Sequence, residues 1–468
     1  MSAALHPRKA PDSSSVASGA SVGPTPTLSI FDATMITVGI VIGAGIFQTP
    51  SLVATNAGTP ALTITAWALA GVLSFAGALT YAELATTYPS AGGDYTFLTR
   101  AYGKNLSFLF AWARSTVICT GSIALLGFIL GDYLTRLYPL GPQSSALYAA
   151  VAVLVLTVVN LIGLKSSAKV QNTLGVLEIA GVLAVALVGF LLEPAPASEP
   201  PAASAATSTG SFGLAMVLVL LTYGGWNEAA YVSAEVRGGP RAVRRSLVMS
   251  IAIITIVYLL FVIGVMQGLG FEGLKASEAV GIDIAERMFG SVGGQLIGII
   301  VAISALSSMN STMLAGARTN YSVARDWPIF GFMGQWQGER SQPAMGFIVQ
   351  AGISLALIGY GALEKDGFMT MVEFTAPVFW FFFMLGGIAL FVLRRKDPGA
   401  ARPFKVPLYP VIPIGFVLTC AYLLYSSIMY AQSRHATHVA FSVMLSGALV
   451  LIGIKLRERS RRRAQPQL

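Results

Sequence analysis

The sequence has few charged side chains and little of the chemistry that enzymes use. Only 11% of the 468 residues are Asp, Glu, Lys or Arg, and there are three histidines and two cysteines. A soluble domain normally carries about 25% charged residues, so this chain cannot cover an ordinary water-facing surface. The histidines are His6, near the N-terminus, and His435 and His438, at the outer end of the last apolar run, and no Cys/His or Asp/His grouping occurs. A metal centre or a nucleophile with its base is therefore excluded, and we expect neither enzymatic activity nor a cofactor.

Long apolar runs take the place of the missing charge. Apolar residues make up 54% of the chain, and the mean hydropathy is +0.70. Runs of roughly 20 residues, each long enough to cross a bilayer, recur from end to end. They are continuous rather than alternating, which predicts helices and excludes a β-barrel. We expect an all-α polytopic membrane protein with twelve transmembrane helices, numbered as spans 1–12, at 29–54, 60–88, 105–134, 145–163, 170–192, 212–235, 244–270, 292–322, 343–362, 367–393, 407–430 and 436–456.

The positive charge is distributed as the positive-inside rule predicts. With both termini cytoplasmic, the inner segments hold 24 of the 30 Lys and Arg residues, whereas the outer loops hold five. This bias places the protein in a cell inner or plasma membrane with both termini inside. It also explains the net charge of +9 without a nucleic-acid partner. We expect a disordered cytoplasmic arm at 1–28 and a basic cytoplasmic tail at 457–468.

A Pro/Ala/Ser-rich stretch divides the spans into two sets of five. Residues 193–211 form this linker, which falls on the extracytoplasmic side. It separates a first five-helix repeat, 29–192, from a second, 212–393, and helices 11 and 12 follow at 394–456. Two consecutive repeats with an odd number of spans have opposite orientations in the membrane. Such inverted repeats are common in secondary carriers.

The first span of each set carries a glycine cluster near its middle. Span 1 contains Gly39, Gly43 and Gly45, and span 6 contains Gly224 and Gly225. Glycine costs a helix about 1 kcal/mol per residue. Close helix packing through Gly-x-x-x-Gly is the alternative explanation, but two clusters at matching positions favour unwinding. Such breaks suit an α-amino acid, because one half-helix presents N–H groups to a carboxylate and the other presents carbonyls to an ammonium group.

Four motifs in the same order resemble the amino acid–polyamine–organocation superfamily, specifically its prokaryotic L-amino acid transporter branch. They are GIVIGAGIF (39–47), YAELATTYPSAGGDYTFLTRAYG (81–103), TYGGWN (222–227) and RPFKVPLYPVIP (402–413). The resemblance runs from about residue 28 to 457. It implies a LeuT-like fold of 5+5 inverted repeats plus two extra helices, with helices 1 and 6 broken at mid-membrane. The implied function is secondary active transport of L-amino acids by alternating access.

The resemblance also assigns the site, mostly through backbone groups. The substrate carboxylate would meet the N–H groups of Ala44 and Gly45, and Gly43 would permit the turn. The amino group would meet the carbonyls of Val41 and Leu221. The remaining implied pocket residues are Gly224, Asn227 and, as an aromatic wall in span 10, Trp380.

Two positions depart from the family pattern. Leu221 stands where many relatives carry an aromatic gate in span 6, and Glu178 stands in span 5 where a lysine is frequent. Glu178 lies about 12 Å into its helix, too deep to reach water easily, and intramembrane carboxyl groups are usually functional. It is the candidate for coupling transport to H+ or Na+. The alternatives are a static ion pair with Arg114 and a misplaced span boundary.

Other interpretations agree equally well with the same residues. Glu228, after the span 6 break, either faces the pocket and favours cationic side chains or serves a pairing role. Amines or polyamines are the alternative substrates, and a non-transporting nutrient sensor is the alternative function. Residues 132–145 contain no cysteine, so the disulfide-linked heavy chain of eukaryotic relatives is not expected as a partner. The expected partners are an amino-acid substrate, membrane lipid and a coupling ion.

Overall fold

The computed structural model describes residues 28–90, 92–162, 168–193, 209–230, 236–333, 344–433 and 437–464. Most of the predicted arm (1–27), most of the linker (194–208) and the end of the tail (465–468) lie outside the described residues. Within them the regular structure is helical, apart from one isolated parallel bridge between Leu28 and Val236.

Sixteen α-helices are described, and each of the twelve predicted spans overlaps at least one of them. Their bounds are α1 Ile30–Val41, α2 Gly45–Ala57, α3 Pro60–Thr87, α4 Asp94–Tyr102, α5 Lys104–Ala113, α6 Cys119–Leu137, α7 Ser144–Ile162, α8 Ala168–Leu191, α9 Thr209–Thr222, α10 Gly239–Leu269, α11 Phe271–Ala276, α12 Val280–Asp326, α13 Ala344–Ala362, α14 Gly367–Lys396, α15 Val411–Ser433 and α16 Thr437–Ala464.

Eight continuous helical stretches of the described chain are long and apolar enough to cross a membrane, and the bent pair α1 and α2 makes a ninth. The prediction of an all-helical protein with many membrane spans is thereby confirmed. The count of twelve stays a prediction, since α8, α9 and α16 are not among these nine in the described chain. The longest element, α12, is interrupted at Gly290, whose φ of 65° is non-helical, so its predicted span corresponds to the part after this glycine.

Local sequence signals explain where several helices begin. Ser29 caps α1 with a reciprocal pair of hydrogen bonds, in which its Oγ accepts from the Asp32 amide at 3.1 Å and its own amide donates to the Asp32 carboxylate at 2.9 Å. Pro60 occupies the first turn of α3 after the capping Thr59. Asp366 caps α14 by accepting from the Met369 amide at 3.0 Å. These polar caps satisfy the amides that every helix start leaves without intrahelical partners.

The two interrupted helices lie against each other inside the bundle. The first half of span 1, α1, packs on α8 and α10, and its second half, α2, packs on α9 of span 6. The 3-10 turn that follows α9, Trp226–Ala230, also contacts α1. The breaks of the two spans are therefore neighbours, which places them together at the functional site.

A buried carboxylate joins α3 to the end of α14 and to the segment after it. Glu83 is 1% exposed. Its Oε1 accepts from Nε of Arg394 at 2.8 Å, and its Oε2 accepts from Nη2 of Arg394 at 2.5 Å and from the Val406 amide at 2.7 Å. Arg402 adds an ion pair at 3.7 Å. This cluster predicts a large stability effect, since removing one member of a buried pair leaves the other charge uncompensated.

We expect Glu83→Gln to destabilise the protein by about 3–5 kcal/mol and to lower its melting temperature in detergent. Glu272→Gln is the matched control, because Glu272 forms an exposed pair with Lys275 at 2.9 Å, and such pairs contribute about 0–1 kcal/mol. Thermal unfolding of the purified variants measures both effects. Equal melting temperatures for the two variants would contradict a stabilising role for the Glu83 cluster.

Candidate substrate site

The first break leaves two backbone amides without acceptors at the start of α2. Helix α1 ends at Val41 and α2 begins at Gly45, with a bend of 50° between them. The Gly43 amide donates back to the Val41 carbonyl at 2.9 Å. Among the hydrogen bonds of the described residues, none has the amide of Ala44 or Gly45 as its donor. These two N–H groups, at a helix N-terminus, are suited to an anionic group.

Gly43 also allows a close approach between α1 and α12. A Cβ atom at this position would overlap the Oγ of Ser308. The first break therefore needs glycine for packing, and the glycine cluster serves packing and unwinding together rather than one of them alone.

The second break contains a glycine, Gly225, whose positive φ angle is a backbone conformation that other residues rarely adopt. Helix α9 ends at Thr222, and Gly225 has a φ of 107°. A Cβ at Gly225 would lie 2.8 Å from Cγ2 of Ile40 in α1. The Gly224 amide donates to the Leu221 carbonyl at 2.9 Å, which leaves that carbonyl capacity for a second donor, because a carbonyl oxygen has two lone pairs.

A tyrosine that the sequence analysis did not single out bridges the two breaks. The hydroxyl of Tyr258, in α10, lies 2.7 Å from the Val41 carbonyl and 3.1 Å from the Thr222 carbonyl. Its side chain is fully buried. One hydroxyl proton serves one acceptor at a time, so the Tyr258 hydroxyl can donate either to the Val41 carbonyl at the first break or to the Thr222 carbonyl at the second. The sequence signal for it is a tyrosine near the middle of a mostly apolar span.

This bridge bears on the predicted role of Val41. The Val41 carbonyl accepts from both Tyr258 and Gly43, which uses both of its lone pairs. A substrate ammonium group would reach it only if the Tyr258 hydroxyl moved to Thr222. The Leu221 carbonyl needs no such exchange.

A cavity of about 180 Å³ lies between the breaks. Of the predicted residues, Val41, Gly43, Gly45, Leu221, Gly224 and Asn227 line it. Ala44 and Trp380 do not: Ala44 is fully buried between the lining residues Gly43 and Gly45. Trp380 lines a much smaller space beside Trp226, and its neighbour Phe379 faces the cavity instead. One residue is about 100° of rotation on a helix, so α14 brings Phe379 rather than Trp380 to the cavity.

Glu178 lies apart from this cavity, on the side of α8 that meets α12. It is 6% exposed, and its Oε1 accepts from Oγ of Ser304 at 3.3 Å. Its Oε2 has no hydrogen-bond partner among the described residues. One turn earlier, a Cβ at Gly175 would lie 3.4 Å from Cε of Met35 in α1. The carboxyl group therefore sits beside the first half of span 1 without lining the cavity itself.

The predicted alternative of an ion pair between Glu178 and Arg114 is wrong. Arg114 instead binds Glu228, with Nη2 at 2.7 Å and 2.9 Å from the two carboxylate oxygens. The reason is that the turn after the second break brings Glu228 into the centre of the bundle, where Arg114 lies. Both side chains line the cavity. For Glu228, pocket-facing and pairing roles therefore coexist.

Within the described chain, no group of three or more His, Cys, Asp or Glu side chains is placed to hold a metal ion. The site consists of backbone groups at two helix breaks, a bridging hydroxyl, one ion pair and an otherwise uncharged lining. Such an arrangement binds and releases a small polar molecule inside a helical membrane protein, and it contains no nucleophile poised for bond cleavage. These features define a membrane carrier.

Comparison with known proteins agrees with this class. Residues 28–454 match the amino acid permease family, and the chain belongs to that family. It is similar to the serine/threonine exchanger SteT of Bacillus subtilis, with 26% identity over 92% of this chain and 98% of the relative. The human cystine/glutamate transporter is 28% identical over 88% of this chain and 82% of its own length.

A third relative is the mouse large neutral amino acids transporter small subunit 2, which is 27% identical over 94% of this chain and 83% of its own length. The resemblance drawn from the four sequence motifs is confirmed by these matches. The protein is accordingly an amino acid transporter with many membrane spans, and it is not an enzyme.

Proposed function

We propose that the protein is a secondary active transporter that moves L-amino acids across the membrane by alternating access. The observation that carries this proposal is the pair of free amides, Ala44 and Gly45, at the start of α2. Gly45 lines a cavity that the second break also lines. In the proposed pose the substrate carboxylate accepts from these amides, and the ammonium group donates to the Leu221 carbonyl. The Val41 carbonyl joins when Tyr258 moves its proton to Thr222.

The proposed architecture has twelve spans, a LeuT-like 5+5 inverted repeat plus two helices, and both termini in the cytoplasm. The 24-to-5 distribution of Lys and Arg supports the orientation. The neighbouring breaks, each in the first span of its repeat, support the repeat. Both cysteines are buried, which supports a carrier that works without a disulfide-linked partner.

A panel of radiolabelled amino acids taken up into proteoliposomes, with and without proton and sodium gradients, tests the function. We expect saturable uptake or exchange of at least one L-amino acid. Saturable binding without flux would instead identify a sensor. Uptake of amines that lack a carboxylate, with no uptake of amino acids, would identify an amine carrier and overturn the proposal.

We further propose that Glu178 couples transport to a proton or cation. Its buried carboxyl group has Ser304 as its hydrogen-bond donor and no cationic side chain paired with it among the described salt bridges. An ionised carboxylate in such a place is costly. A bound proton or cation would neutralise the Glu178 carboxylate, remove this cost and so stabilise the packing of α8 against α1 and α12.

We expect Glu178→Gln to reduce gradient-driven uptake about tenfold or more while exchange of internal for external substrate continues, because the amide mimics the neutralised carboxyl group. Uptake measured as a function of pH and of sodium concentration checks this effect. Glu364→Gln is the control, since Glu364 is exposed in a predicted outer loop. Unchanged gradient dependence in Glu178→Gln would contradict the coupling role.

A further inference from the structure

The Arg114–Glu228 ion pair in the cavity joins two segments that both depart from α-helical geometry where they meet. Arg114 begins a π-helical turn, Arg114–Ile118, in the middle of the long helical stretch formed by α5 and α6. Glu228 lies in the 3-10 turn after the second break. Single π-helical turns inside α-helices occur frequently at functional sites. The two side chains meet at the cavity wall, where a bound substrate would contact them.

Both charged groups of the pair make short hydrogen bonds. Nη2 of Arg114 donates to both oxygens of Glu228, and Nε donates to Oγ1 of Thr319 in α12 at 3.1 Å. The side chains are 4% and 17% exposed. In such a place either charge alone would be expensive, whereas the two together leave the wall electrically neutral.

No other Asp, Glu, Lys or Arg side chain of the described residues lines the cavity. The remaining side chains in the wall are apolar or carry hydroxyl, thiol or amide groups, as in Ile118, Ser122 and Asn227. Asp94, in α4 between the predicted spans 2 and 3, accepts from Nδ2 of Asn227 at 3.3 Å. Burial raises the pKa of the Asp94 carboxyl group, and this group lies behind Asn227 rather than in the cavity lining.

We propose that the Arg114–Glu228 pair is the charge filter of the site, and that it restricts the substrate to amino acids with uncharged side chains. This inference rests on the proposed function and adds the substrate class to it. A charged side chain entering the cavity would find no counter-ion that is not already bound, and its desolvation would go uncompensated. An uncharged side chain meets no such penalty.

The pair also predicts how selectivity changes when one partner is removed. In Glu228→Gln the guanidinium of Arg114 loses its carboxylate, so an anionic substrate side chain takes over that role. In Arg114→Gln the carboxylate of Glu228 loses its cation, so a cationic substrate side chain is admitted. In the double variant no charge remains, and discrimination against both kinds of charged side chain returns.

The test measures competition against uptake of a neutral amino acid that the wild-type protein transports in proteoliposomes. The competitors are near-isosteric pairs, L-glutamine with L-glutamate and L-norleucine with L-lysine. For the wild type we expect the uncharged member of each pair to compete at least about tenfold better. Glu228→Gln should shift the glutamate-to-glutamine ratio toward glutamate about tenfold or more, and Arg114→Gln should shift the lysine-to-norleucine ratio toward lysine by a similar factor.

Arg136→Gln serves as the matched control, since Arg136 pairs with Asp283 away from the cavity; its competition profile should equal that of the wild type. Charged competitors as effective as neutral ones in the wild type would overturn the proposal, and this result needs no variant to fold. Unshifted ratios in both folded single variants would overturn it too. Absence of any amino acid transport by the wild type would instead refute the proposed function.

Discussion

Replacing Gly225 with alanine should reduce amino acid transport to less than about a tenth of the wild-type rate. The residue has a φ of 107°, and an added Cβ would lie 2.8 Å from Cγ2 of Ile40 and 3.4 Å from Cγ2 of Val41. Backbone strain and overpacking each cost about 1–3 kcal/mol. Because both act where the two breaks touch, they should separate the amides of α2 from the carbonyls of α9. Initial uptake rates in proteoliposomes measure the effect.

Gly352→Ala is the matched control for this variant. Gly352 lies within α13, is exposed, and has no atom within 4 Å of an added Cβ. It should keep normal transport and gain about 0.5–1 kcal/mol of stability, as is usual for Gly→Ala inside a helix. Normal transport by Gly225→Ala at normal protein levels would show that contact between the breaks is not needed.

The second large effect is expected for Tyr258→Phe. This change keeps the buried ring but removes the hydroxyl that lies within hydrogen-bond distance of the Val41 and Thr222 carbonyls. Without the hydroxyl the Thr222 carbonyl loses this donor, and the Val41 carbonyl keeps only the Gly43 amide. The loss of a donor to a buried carbonyl costs about 1–3 kcal/mol, and here it falls on the contact between the two breaks. We expect the maximal transport rate to fall about tenfold. The KM should be no higher than that of the wild type, since the Val41 carbonyl becomes available to the substrate ammonium group.

Tyr223→Phe is the comparison for Tyr258→Phe. Tyr223 is equally buried and follows α9 directly at the second break, but its hydroxyl donates to the Trp67 carbonyl at 3.2 Å and not to a carbonyl of either break. It should lower stability by about 0.5–1.5 kcal/mol with little change in transport. If both variants lose maximal rate to the same extent, Tyr258 acts through general packing rather than through the breaks.

The helices and the two breaks could be predicted from sequence because both depend on local patterns. Apolar runs of membrane length identify the spans, and clusters such as Gly224 and Gly225 mark where a helix cannot continue at low cost. The capping pair Ser29 and Asp32 likewise lies within four residues of chain. Each of these signals acts through nearest neighbours, so a single sequence contains them.

The parts of the site that were mispredicted or missed depend on tertiary contacts. Arg114 and Glu228 are 114 residues apart, and nothing local to either residue selects the other over Glu178. The choice between Trp380 and Phe379 rests on the rotation of α14 about its axis, which packing sets. Tyr258 acts only because α10 passes behind both breaks.

Competition by head-group analogues tests the central claim most directly. The transported amino acid is compared with its amide, which lacks the carboxylate, and with its α-hydroxy acid, which lacks the ammonium group, at a constant side chain. The free amides of Ala44 and Gly45 and the carbonyls of the breaks predict that each analogue competes at least about tenfold more weakly than the parent. Equal competition by the amide would contradict recognition of the carboxylate at the first break.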